Sequence, residues 1–182
     1  MTPTILTAAG TYFDFLKPEA SHIDVDTIAH ALAHICRFTG HTSSFYSVAQ
    51  HSVLVSYLVE PEYALAGLLH DATEAFLGDV SAPLKMLLPD DKAIEQRVEA
   101  VVLARFGLPA TLPSTVKLAD KIALAIEQRS LMPAHTDTWA CQSLLDNCPG
   151  SIQDIRIVGE APHIARKTFL ARFHTLYRET IA

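Results

Sequence analysis

Residues 62–77, EYALAGLLHDATEAFL, place the strongest constraint on the fold. Their apolar density is too high for a helix with one face in water, so the segment belongs at the centre of a helical assembly. Yet His70 and Asp71 stand side by side within it, Glu74 lies one turn on, and Asp79 follows Gly78. Burying unpaired charge is costly or forces a shift of pKa, so these groups must be held by partners.

The rest of the chain also reads mostly as helix. Asp24 or Asp26 can cap a first helix, DTIAHALAHICRF, which sets Ile28, Leu32 and Ile35 on one face and ends near TGH. SVAQHSVLVSYLV follows, and Pro61 starts the central segment. GDVSAPLKMLLP is a connection punctuated by Gly and Pro. DDKAIEQRVEAVVLARFG is an amphipathic helix with acids in its first turn and Gly107 beyond its end. After LPS comes TVKLADKIALAIEQRSLM, with Leu118, Ile122, Ala125, Ile126 and Leu131 directed inward and Asp120 amid the run. AHTDTWACQSLLDNCPGSIQD is loop-rich, with one turn of helix at most, and HIARKTFLARFHTLYRETI closes the chain as an amphipathic helix. Only ILTAAGTYFDFLKPEA departs from the pattern; its β-branched and aromatic residues suit a short hairpin or an irregular lead-in. The expectation is an all-α single domain over residues 1–182, with or without a short N-terminal β-hairpin.

Composition narrows the setting. A length of 182 residues suits one domain, and no window approaches the ~18 apolar residues of a membrane span. The start MTPTILTAAGTYFDF lacks the basic, apolar pattern of a secretory signal, so a cytoplasmic location and no membrane partner are expected. Cys36, Cys141 and Cys148 form no disulfide or zinc-ribbon spacing. A net charge of −6 argues against broad nucleic-acid binding, so an anionic substrate would need a local basic pocket.

His51 in AQHSVLV and Asp120 in KLADKIA share the oddity of His70 and Asp71, being polar residues set in apolar helical patterns. Adjacent helix positions point about 100° apart, so His70 and Asp71 can reach one point beside their helix. Two imidazoles and two carboxylates suit a divalent ion such as Zn, Co, Mn, Ni, Fe or Mg, with coordination places left for water and substrate.

The order His51, His70-Asp71, Asp120 resembles the HD superfamily of metal-dependent phosphohydrolases. The segment HDATEAFLGD resembles the HDxxE…GD stretch of its 5′-deoxynucleotidase-like branch. The likeness runs from about Ile28 to Met132. CRFTGHTSSFYSVAQHS further resembles small bacterial and phage members, including phage dATP triphosphohydrolases. The resemblance implies an HD-domain helical bundle in which His51, His70, Asp71 and Asp120 hold one divalent ion and an activated water attacks phosphorus. It implies that Glu74 orients that water or moves its proton, with Asp79 assisting. It also implies that Arg37, fourteen residues before His51, grips phosphate. Lys85 is a second candidate for phosphate, with Lys117 and His41 behind it. His135, His163 and His174 show no placement suited to a second ion. The leading expectation is removal of triphosphate from dATP. The alternatives are a 5′-deoxynucleotidase releasing phosphate from deoxynucleoside monophosphates, and a nucleotide-binding regulatory module with little turnover. Relatives of this kind make a dimer or hexamer plausible, in a bacterium or a phage-infected cell.

Each residue also has a plainer reading. His70 and Asp71 could be a salt-bridged pair, His51 a satisfied core histidine, and Asp120 a partner of Lys117 or Lys121 on its own helix. Asp79 could simply form the turn after Gly78, and Arg37 could be a solvated helix-end cation. His30 and His34, an i, i+4 pair, read as packing or solvent residues, and most of Phe38, Phe45 and Tyr46 as core.

Overall fold

The computed structural model describes residues 2–88, 91–137 and 139–181. It is mostly helical, and the one sheet among the described residues is the N-terminal hairpin. There β1 (Thr4–Leu6) pairs antiparallel with β2 (Tyr12–Asp14), Ile5 facing Phe13. The hairpin is tied to the core by Phe13, which is fully buried and stacks on Phe76 at 4.1 Å between ring centroids.

Helix α1 (Val25–His34) starts at Asp24, whose carboxylate accepts from the Thr27 backbone N–H at 2.8 Å. It ends earlier than its apolar period predicts. Ile35 is already extended, and Cys36 bridges Ser47 in a short antiparallel pairing. Phe38, Thr39 and Gly40 then turn in the left-handed region, at φ of 55°, 54° and 81°. The two non-glycine residues carry about 1–2 kcal/mol of strain each. This turn redirects the chain into α2 (Val48–Leu58), capped by the Ser47 hydroxyl, which accepts from the Gln50 N–H.

The central segment is not the single helix expected. A 3₁₀ turn at Pro61–Tyr63 leads into α3 (Ala64–Leu69), and a second helix, α4 (Glu74–Leu77), begins only after His70–Thr73. Between them the backbone tightens to i, i−3 bonds, Ala72 N–H to the Leu69 carbonyl and Glu74 N–H to that of Asp71. Such bonds advance about 120° per residue instead of 100°, so this turn resets the direction of every side chain it carries. Gly78, at φ 80°, ends α4.

The connection that follows holds α5 (Ala82–Lys85), and α6 (Asp91–Arg105) comes next. The long α7 (Ser114–Leu131) packs small residues, Ala119 and Ala123, with Val116 against Val55 of α2 and Ala66 of α3. That close face explains why Leu118, expected inside, is 48% exposed: it lies to one side of the contact. Residues 134–154 hold two short helices, α8 (Gln142–Asp146) and α9 (Gly150–Gln153), and Leu145 of α8 covers Ala125 and Ile126. The final α10 (Pro162–Ile181) joins α1, α2, α3 and α6 around the main core, with Leu32, Leu68, Leu69, Val102 and Phe169 buried.

The strand-like lead into α10 presses on the α2 entrance. Gln50 donates to the Val158 carbonyl and accepts from the Glu160 N–H, and a Cβ at Gly159 would lie 2.0 Å from the Phe45 carbonyl oxygen. Cys36, Cys141 and Cys148 are all free thiols. No helix among the described residues is long and apolar enough to cross a membrane.

Candidate metal centre

Four side chains from three parts of the chain converge. His51 comes from α2, His70 and Asp71 from the tight turn after α3, and Asp120 from α7. The His51 Nε2 lies 3.2 Å from His70 Nε2, 3.4 Å from Asp71 Oδ2 and 3.3 Å from Asp120 Oδ1. His70 Nε2 is 3.2 Å from Asp71 Oδ2 and 4.0 Å from Asp120 Oδ1. Donors about 2.1 Å from one ion and 90–110° apart stand roughly 3.0–3.4 Å from each other, a range that four of these five separations meet and the His70–Asp120 one exceeds. Among the described residues, His51, His70 and Asp120 have ligand atoms all within 4.8 Å of one another, and this group could hold a metal ion.

The tautomers point the same way. His51 Nδ1 donates to Glu127 Oε1 at 2.5 Å, and His70 Nδ1 donates to the Gly67 carbonyl at 2.9 Å. Neither acceptor carries a proton to give, so Nδ1 of each ring holds the proton and the two Nε2 atoms face each other at 3.2 Å. That arrangement needs a positive charge between them, and outer hydrogen bonds of this kind are how metal-binding histidines are oriented.

Glu127 is the residue the sequence reading missed. It is fully buried and accepts from His51, from the Tyr46 hydroxyl at 3.0 Å and from Arg37 Nη2 at 3.2 Å. Its signal was its spacing, seven residues after Asp120, two helical turns along the same face of α7. Arg37, carried on the left-handed turn, is the hub opposite: its Nη1 stands 3.8 Å from both Asp71 Oδ2 and Asp79 Oδ2.

The charges are strongly coupled. Burial opposes ionisation of Glu127, but His51 and Arg37 hold its carboxyl down at about 2. Burial and Arg37 would lower His51, yet Glu127 and Asp120 push its imidazole up to about 10. Asp71 falls far below the usual carboxylate range because His70, His51 and Arg37 outweigh burial, and Asp120 is lowered by His51 and His70 in the same way. Burial would lower Arg37, but Glu127, Asp71, Asp79 and Glu74 keep it charged. Glu74 behaves oppositely: burial, then the Asp71 and Asp79 charges, raise it to about 9. Its Oε2 is buried without a hydrogen-bond partner.

A cavity of about 490 Å³ opens at this centre, with Asp71, Glu74 and Asp120 joined in its lining by Arg37, Asp79 and Lys85. Phe38 and Trp139 supply aromatic surface there, 6.1 Å apart between centroids. Burial raises Asp79 against the pull of Arg37. Lys85 donates to Glu95 at 2.6 Å. Lys117 lines a second cavity of about 540 Å³, which shares Asp71, Glu74 and Asp120 with the first. His41 is exposed beyond the left-handed turn and lines neither cavity.

No family model matches the chain. It is similar to the uncharacterized protein YfdR of Escherichia coli (strain K12), 42% identical over 172 residues that span 94% of each chain. It is also similar to the uncharacterized protein RCAP_rcc00048 of Rhodobacter capsulatus, 35% identical over 185 residues and 93% of each chain. With such identity sustained across nearly the whole of both partners in each pair, the chain belongs to the protein family of YfdR and RCAP_rcc00048.

Proposed function

We propose that this protein is a metal-dependent phosphohydrolase of the HD superfamily acting on 2′-deoxynucleotides. The observation that carries the reading is the convergence of His51, His70, Asp71 and Asp120, the two carboxylates of which line a cavity that also presents Arg37, Lys85 and Glu74. One divalent ion, from among Zn, Co, Mn, Ni, Fe and Mg, would be held by the two Nε2 atoms and the two carboxylates. When bound, it supplies Lewis acidity toward a phosphoryl oxygen and toward water.

The chain's own groups account for the remainder. Arg37 is anchored through Nη2 on Glu127, and Nη1, held loosely at 3.8 Å by two carboxylates, can turn to a phosphoryl oxygen. Glu74, with its pKa raised to about 9, holds a proton at neutral pH and can deliver it from the orphaned Oε2 to the leaving oxygen. Asp79 shares with Asp71 the 3.8 Å contact to Arg37 Nη1. Phe38 and Trp139 offer ring faces on which a planar base can stack.

The resemblance supports dATP as substrate, with deoxyadenosine and triphosphate as products. A specific feature of the cavity favours the smaller substrate, a deoxynucleoside monophosphate. A triphosphate tail brings roughly twice the charge of a monophosphate. The cations in that cavity, Arg37 and Lys85, are already paired with Glu127 and Glu95.

The test is to incubate protein loaded with each metal with the four dNTPs, the matching ribonucleotides and the dNMPs, resolving nucleoside, phosphate and triphosphate. Phosphate from dNMPs alone supports the 5′-deoxynucleotidase reading, and intact triphosphate from dATP supports the triphosphohydrolase. No product from any of them overturns the phosphohydrolase and favours a binding module.

A further inference from the structure

A second cluster of chemistry-bearing side chains lies apart from the metal centre. His30 and His34, on α1, and His163, Arg166, Lys167 and Leu170, on α10, line a surface groove of about 400 Å³. None of them lines either cavity at the metal centre. The α10 residues follow the i, i+3, i+4, i+7 spacing of one helix face, and the α1 pair follows i, i+4, so two stripes form the groove.

Five of the six lining side chains are basic and none is acidic, in a chain of net charge −6. The acid that reaches the cluster is Asp26, which pairs with Arg166 Nη2 at 3.0 Å. Arg166 Nε is buried without a hydrogen-bond partner. His34 Nδ1 donates to the His30 carbonyl at 2.7 Å, and the two rings lie 4.4 Å apart between centroids. His34 is thereby held in one orientation, with Nε2 as the free end.

Three histidines invite a zinc site, but two observations oppose it. Their nitrogens do not gather as those of His51 and His70 do, since no such group emerges here among the described residues. Arg166 and Lys167 in the same groove would also repel a cation. The same charges attract an anion, and guanidinium, ammonium and imidazole N–H groups together present the donors that a tetrahedral oxyanion accepts.

We propose that the α1–α10 groove is a second ligand site, which binds a phosphate-class oxyanion through His34, His163, Arg166 and Lys167. The anion is either inorganic phosphate or the phosphate head of an organic monoester. The charged and titratable groups facing it are Asp26, His30 and His34 from α1 and His163, Arg166 and Lys167 from α10. Burial, then the neighbouring His34 and Arg166, lower His30, and an anion placed in the groove opposes that shift.

The experiment follows the imidazole ring protons of His30, His34 and His163 by NMR. The full chain is titrated with inorganic phosphate, and separately with phenylphosphonate as an unhydrolysable stand-in for a monoester, at constant ionic strength in chloride. Saturable shifts at these rings are expected with at least one of the two probes. Stronger binding of phosphate assigns the free anion, and stronger binding of phenylphosphonate assigns a monoester. The variants Lys167→Met and His163→Gln, both at exposed positions, should each weaken binding about tenfold with the melting temperature unchanged. No saturable shift with either probe, or a response of these rings to Zn²⁺ alone, overturns the proposal.

Discussion

Replacing Glu127 by Gln keeps the side chain's shape and removes its charge, and the consequences can be worked from its contacts. The carboxylate is fully buried and accepts three hydrogen bonds, two of them from cations, His51 and Arg37. An amide can accept at one end only, so its NH₂ must face a donor, either Arg37 Nη2 or His51 Nδ1. Breaking a buried ion pair from one side costs about 3–5 kcal/mol. The lower end applies, because Asp71 and Asp79 remain 3.8 Å from Arg37 and share its charge. For a domain of this size, about 3 kcal/mol lowers the melting temperature by roughly 6–12 °C. The second consequence is chemical. His51 loses the acceptor that fixes its Nε2 toward the cluster, and loss of such an outer partner weakens metal affinity about 10–100-fold. Thermal melts with chelator and with added Zn²⁺ or Mn²⁺, together with a competitive metal titration, measure both. A melting temperature within about 2 °C of the parent, with metal affinity unchanged, would refute the assignment of Glu127 as the shared anchor of His51 and Arg37.

Asp71→Ala removes a proposed ligand and a partner of Arg37 together, so metal binding and turnover should fall in parallel; metal content by atomic absorption and the nucleotide assay check it, and full retention of both would exclude Asp71 as a ligand. Glu74→Gln should leave metal content intact while lowering kcat by about 10²–10⁴-fold, the usual contribution of a positioned acid or base, and an unchanged rate removes Glu74 from the proton path. Asp24→Ala deletes the α1 cap and should cost about 1 kcal/mol in chemical denaturation at pH 7. Burial pushes the Asp24 carboxyl up, but the bonds from Thr27 and the nearby His22 outweigh it and leave the group below its ordinary 3.8. A lowered acid contributes stability above its unfolded pKa and loses it as pH falls through the folded one, so the gap between parent and variant should close in acid. A gap that stays constant below pH 3.8 would mean that the carboxylate's charge plays no part.

The helices were legible where apolar period and caps agreed: of the two caps offered, Asp24 and Asp26, it is Asp24 that caps α1, and α6 and α10 follow their amphipathic patterns. The site residues were legible because each broke the rule of its own helix. What escaped is what neighbours impose. No Gly or Pro lies within His70–Thr73 to announce the i, i−3 turn, and Phe38 and Thr39 carry no composition that announces left-handed backbone. Leu118 was misjudged because α7 packs through alanines, which a count of large apolar residues underweights. Glu127 sits in EQRS, which reads as a polar helix end, although Gln128 beside it is also buried.

The missed residue explains the ones that were found. His51, with no exposed surface, could not sit there as a neutral ring facing a second bare nitrogen without destabilising the core. Glu127 and Asp120 raise its pKa to about 10, which is to say that the surroundings stabilise one positive charge at the point between His51, His70, Asp71 and Asp120. A proton satisfies that demand in part. A divalent cation satisfies it more fully, since two carboxylates and two lone pairs then share it, and proton and metal must compete for the same atoms. Metal affinity should therefore rise with pH while folding stability without metal draws on the protonated His51. The arrangement that could hold an ion is the one that keeps the buried charges compatible with a folded core.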